Sequence, residues 1–119
     1  MVEKEQEAPP VFSLEKALEI VDGERELLAE MIQLFYEFGP QTAARIQAAV
    51  AGGNLEEARR QAHSLKGSAA NLAGERLTDL AWSLEQAGRE GDQGGLELLV
   101  RSLDSELAHL LEALRRVAP

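Results

Sequence analysis

Hydrophobic residues recur every three or four positions along most of this chain, and glycine, proline, aspartate and asparagine fill the gaps between the runs. That pattern predicts amphipathic helices separated by turns. Ser13 is a good N-cap for a short helix carrying Ala17, Leu18 and Val21, which Asp22-Gly23 should stop. The next run places Leu27, Leu28, Met31, Leu34, Phe35 and Phe38 at helical spacing on one core-facing stripe. Gly39-Pro40 should break or kink it, because proline lacks an amide donor. Yet Phe38, Thr42, Ile46 and Val50 keep the same phase, so the segment is expected to continue along one axis to Ala51 and stop at Gly52-Gly53. Asn54 with Glu57 has the form of an N-cap with its capping-box partner. It opens a helix whose stripe is Leu55, Ala58, Ala62, Leu65, Ala69 and Leu72, with Gly74 as the C-terminal stop.

A fourth helix carries Leu77, Leu80, Ala81, Leu84 and Ala87 inward and ends among Gly88 to Gly91. The last is predicted as one helix running from Leu96 through Leu99, Val100, Leu103, Leu107, Leu110, Leu111 and Leu114, closed by Pro119. No stretch alternates in the β-branched manner of a strand. The predicted fold class is therefore all-α: an antiparallel up-down four-helix bundle with the short N-terminal helix as a lid. Residues 1–11, charged and Gln/Ala-rich around Pro9-Pro10, are expected to be a linker or an added start, and 12–118 the folded domain.

Composition narrows the chemistry. The 119 residues carry 21 Asp plus Glu against 12 Lys plus Arg, a formal net charge of −9. Such acidity argues against a phosphate-backbone binder, which needs a basic stripe, and 4% aromatics argues against base stacking. With no cysteine, disulfides, thiolate nucleophiles and cysteine-ligated metals are excluded together. No apolar run approaches the ~18–20 residues of a membrane span. A cytoplasmic, monomeric domain without a signal peptide is expected.

One side chain stands off the predicted core. At ~100° per residue, His63 lies roughly 130° from the Leu55–Leu72 stripe and should face solvent in the middle of its helix. Lys66, Gly67 and Ala70 follow at i+3, i+4 and i+7 on or beside that face, and Arg59 lies one turn before it. A histidine of ordinary pKa, ~6.5, is largely neutral at cell pH and keeps a free ring lone pair, so it suits nucleophilic attack on a phosphoryl group. Lys66 could pair with the phosphoryl oxygens as a point charge, and Ser64 or Ser68 could add hydrogen bonds. A polar group on the adjacent helix could orient the ring through its other nitrogen, with Glu85 first and Gln86 second. An exposed histidine beside lysine and glycine is more often a plain solvated surface. Gly67 adds weight to the functional reading, because glycine inside a helix costs about 1 kcal/mol relative to alanine.

The stretch Gln61-Ala62-His63-Ser64-Leu65-Lys66-Gly67-Ser68-Ala69-Ala70-Asn71-Leu72 resembles the signature helix of histidine-containing phosphotransfer (HPt) domains. The similarity runs from Phe12 to about Val117 and includes Phe12-Ser13-Leu14-Glu15, Ile20-Val21-Asp22-Gly23, Gly74-Glu75-Arg76-Leu77 and Leu84-Glu85. The resemblance implies that His63 is the phosphorylated residue, Lys66 the charge-stabilising one, and Gly67 the small residue that lets a partner dock. Glu85 falls where the family often has a polar residue reaching the histidine. Trp82 departs from the pattern and is either an edge-of-core residue or an aromatic anchor in a partner interface. His109 matches no motif and is expected on solvated surface.

The resemblance further implies a phosphocarrier, not an enzyme: a phosphorelay intermediate between the aspartates of response-regulator receiver domains. The receiver would bring the acidic pocket and Mg²⁺, so no metal or cofactor of its own is expected, and no phosphate-binding loop or Walker motif is present. Around Gly67 and Ala70 an apolar patch rimmed by Arg59, Arg60 and Lys66 is expected to complement that acidic pocket. Two alternatives stay open. The chain could be the phosphoacceptor domain of a chemotaxis-type kinase, or a helical adaptor that is never phosphorylated. It could also be a piece of a hybrid sensor histidine kinase, with that kinase as a partner in cis or trans.

Overall fold

The computed structural model describes residues 9–119, and most of the expected linker lies outside them. Six α-helices follow in order: α1 Leu14–Ile20, α2 Arg25–Ala51, α3 Leu55–Asn71, α4 Glu75–Arg89, α5 Gln93–Leu99 and α6 Leu103–Arg115. No strand forms among the described residues. The capping chemistry works as the residue types suggest: Ser13 Oγ accepts from the Lys16 amide, Asn54 Oδ1 from Glu57, and Asp92 Oδ1 from Gly95. Pro10 and Val11, which composition alone assigns to the linker, are tied to the bundle. The Pro10 carbonyl accepts from the Arg76 amide, and Val11 and Phe12 pack against the core.

Helix α2 is continuous through Pro40. Burial on both sides holds it, with Ile32 and Phe35 before the proline and Ala43 and Ile46 after it. Two expectations are corrected. The last predicted helix is divided: α5 and α6 are joined by a 3₁₀ turn, Val100–Ser102, which keeps Leu96 and Leu103 both fully buried. Gly74 is also not the left-handed stop of α3. That conformation falls on Ala73, at φ 57°, while Gly74 has φ −88° and packs against Leu110, whose Cδ2 would lie 2.7 Å from an added Cβ.

The α3–α4 contact positions the site. Ala58, Ala62 and Ala69 of α3 and Ala81 of α4 are fully buried, and such short side chains let two helices approach closely. Gly88 brings α4 onto the α3 backbone, where a Cβ would stand 3.0–3.2 Å from Arg59 Cβ, Cα and N. With Arg59 opposite Gly88, the next turn of each helix sets His63 opposite Glu85.

Gly88→Val is expected to destabilise the protein by about 1–3 kcal/mol through overpacking. Gly67→Ala, whose added Cβ would meet only open space, should stabilise it by about 0.5–1 kcal/mol through helix propensity. Denaturant midpoints measure both, and an unaffected Gly88→Val protein would remove this close approach as the spacer between α3 and α4.

Candidate functional site

His63 sits mid-way along α3 with its side chain 64% exposed, and Glu85, on α4, is buried to 2%. A carboxylate taken out of water is costly unless charges and hydrogen bonds replace the lost hydration. Here Lys66 Nζ lies 2.7 Å from Oε1, while Oε2 receives His63 Nδ1 at 2.9 Å and Arg89 Nη2 at 3.1 Å. Burial pushes the Glu85 carboxyl up, and the contacts from Lys66 and His63 outweigh it, so the net displacement is downward and Glu85 is ionised. An ionised carboxylate can only accept, so the imidazole must present Nδ1–H to it. In the neutral ring this tautomer carries its lone pair on the other nitrogen, Nε2.

The α3 surface around the ring is open. Ser64, Gly67 and Ala70 are exposed, and nothing in the fold requires a glycine at position 67. The pattern is an oriented, accessible histidine nitrogen on a helix face cleared of bulk. A family model, that of the Hpt domain, matches residues 30–117. The chain belongs to the Hpt domain family. No curated protein and no solved structure matches it. Membership carries histidine phosphotransfer in phosphorelay signalling as the general role of the Hpt domain.

The remaining predicted residues of this Hpt domain are distributed as follows. Gln86 is half-buried, and it is Glu85 that meets the ring. Ser68 is half-buried on the side of α3 that faces α2. Arg59 and Arg60 are paired along their own helix with Glu56 and Glu57, so neither presents an unpaired charge. Trp82 is 51% exposed and His109 is exposed. No cluster of three or more metal-ligating side chains occurs among the described residues.

Two features escape the sequence pattern. Arg89 is one, a second cation on Glu85 that no motif marks out. The other is a groove of about 470 Å³ between α2 and α3, lined by Met31, Leu34, Phe38, Ser68 and Asn71. Helical spacing puts Leu27, Leu34 and Phe38 on one stripe with Leu28 and Phe35; Leu28 and Phe35 do fill the core, together with Ile32, but Leu34 is 72% exposed. The apolar arc of α2 is wider than the face its neighbours cover, and that excess width was the available signal.

Because the Glu85 carboxyl is lowered in the folded protein, its stabilisation is present above the ordinary carboxylate range and is lost as pH falls through the depressed value. Glu85→Gln should therefore cost about 1–3 kcal/mol at neutral pH. The gap to the wild type should narrow below about pH 4. Urea denaturation across this range tests it, and a gap that stays constant into acid would contradict the ionised carboxylate.

Proposed function

We propose that this Hpt domain is a phosphorelay intermediate that carries a phosphoryl group on His63 Nε2 between the aspartates of two receiver domains. The observation that carries the reading is the exposed ring held through Nδ1 by a buried carboxylate. In the forward step the Nε2 lone pair attacks phosphorus, the Nε2–P bond forms, and the P–O bond to the receiver aspartate breaks to release its carboxylate. The ring keeps its Nδ1 proton and gains positive charge, which Glu85 stabilises across the 2.9 Å contact. The reverse step returns the phosphoryl group to a second aspartate.

Lys66, 29% exposed while it pairs with Glu85, is the cation assigned to the incoming phosphoryl oxygens. Gly67 and Ala70 leave room for the receiver, Ser64 borders the same face, and the Leu34–Phe38 groove between α2 and α3 offers further apolar area. Arg59 and Arg60, already neutralised by Glu56 and Glu57, contribute less to docking than their number suggests. The receiver supplies Mg²⁺, and this chain needs no cofactor of its own. The reading takes residues 12–118 as one cytoplasmic, monomeric domain. It treats α2, α3, α4 and the α5–α6 arm as an antiparallel four-helix bundle with α1 as its lid.

Incubation with a phosphorylated receiver should add one phosphate to the chain, and His63→Gln should abolish the transfer. Labelling that survives this substitution would remove His63 as the acceptor. Phosphorylation by a kinase catalytic core with ATP, and by no phospho-receiver, would instead make the chain a chemotaxis-type acceptor domain. Receiver binding with no mass change would make it an adaptor.

A further inference from the structure

The sequence leaves Trp82 two roles, an edge-of-core side chain or an anchor for a partner. The packing removes the first. Trp82 is 51% exposed, and it belongs neither to the buried core nor to the partly buried apolar side chains packed on it. A lone exposed apolar residue needs no explanation, but Trp82 is not alone.

Its place on α4 follows from its neighbours. Thr78, one turn before it, lines a cleft of about 220 Å³ together with Ala70 of α3 and Ile20 of α1. Glu85, three residues after it, meets His63 and Lys66. At ~100° per residue Trp82 lies within roughly 60° of both Thr78 and Glu85 around the helix, so it stands on α4 between the Ala70 cleft and the histidine. Ala70 is exposed two turns beyond His63 on α3, and Ile20 is 49% exposed. Lys16 and Glu75 at the rim of the cleft pair with each other at 2.6 Å. Three helices thus bring apolar surface to one flank of the imidazole.

We propose that Trp82 is a specificity-determining residue for the receiver that meets His63. Its indole packs on an apolar patch of the receiver beside the acidic phosphorylation pocket, and so selects which receivers dock while the chemistry at Nε2 is left unchanged. The occupant follows from continuity: Trp82 adjoins the His63 face, so a body that brings an aspartyl phosphate to the ring covers the indole in the same encounter. A tryptophan offers a large, rigid apolar area with one N–H donor, which suits an anchor. The inference rests on the reading of that face as the receiver-docking surface.

Trp82 is the one tryptophan of the chain, so its emission reports the contact directly. Titrating unphosphorylated receiver domains into the intact protein should shift that emission to shorter wavelength. In Trp82→Ala, transfer from the phosphorylated receiver should show KM raised about tenfold with kcat little changed, and Trp82→Phe should recover part of the loss. A receiver that binds without moving the emission, or an unchanged KM in Trp82→Ala, would overturn the proposal. So would an emission shift on concentrating the chain alone, which would make Trp82 a contact between copies. The fluorescence arm needs no phosphoryl transfer: a shift retained where labelling of His63 fails would support the docking role and fault only the acceptor assignment.

Discussion

The structure depends on a buried negative charge. Glu85 is placed inside the α3–α4 contact, where an unpaired carboxylate could not persist, and it is tolerated because Lys66, His63 and Arg89 converge on its two oxygens. Those three partners come from two helices, so the carboxylate is satisfied only when α3 and α4 sit at one separation and one register. The alanine stripe and Gly88 supply that separation. Packing and chemistry are therefore one constraint: the small residues that bring the helices together are what place a carboxylate against the histidine ring.

The charge distribution follows from the same cluster. The chain has a formal net charge of −9, yet two cations, Lys66 and Arg89, share one carboxylate beside the ring. Arg59 and Arg60 lie close in sequence and add little net charge, because Glu56 and Glu57 neutralise them within a turn. Affinity for a partner then has to draw on apolar surface, and the exposed Leu34 with the groove beside α3 provides some.

The all-helical class was legible because the apolar periodicity of α3 and α4 and the caps at Ser13 and Asn54 all agree. His63 was legible because it breaks that periodicity, and Gly67 because a helix interior disfavours it. What stayed hidden depended on three-dimensional neighbours. Ala73, not Gly74, adopts the left-handed turn, and the space beside Gly74 is taken by the Leu110 side chain. The outward side of α2 looks like core until one knows how much of it its neighbours cover. Arg89 is an unremarkable helix-end arginine until Glu85 is seen to be buried beneath it.

The central claim is that Glu85 fixes the proton of His63 on Nδ1 and leaves Nε2 as the nucleophile. Long-range ¹H–¹⁵N correlation of the neutral imidazole in the unphosphorylated protein measures this directly. A dominant Nδ1–H tautomer is the result the geometry predicts. A dominant Nε2–H tautomer would contradict it and detach Glu85 from the chemistry.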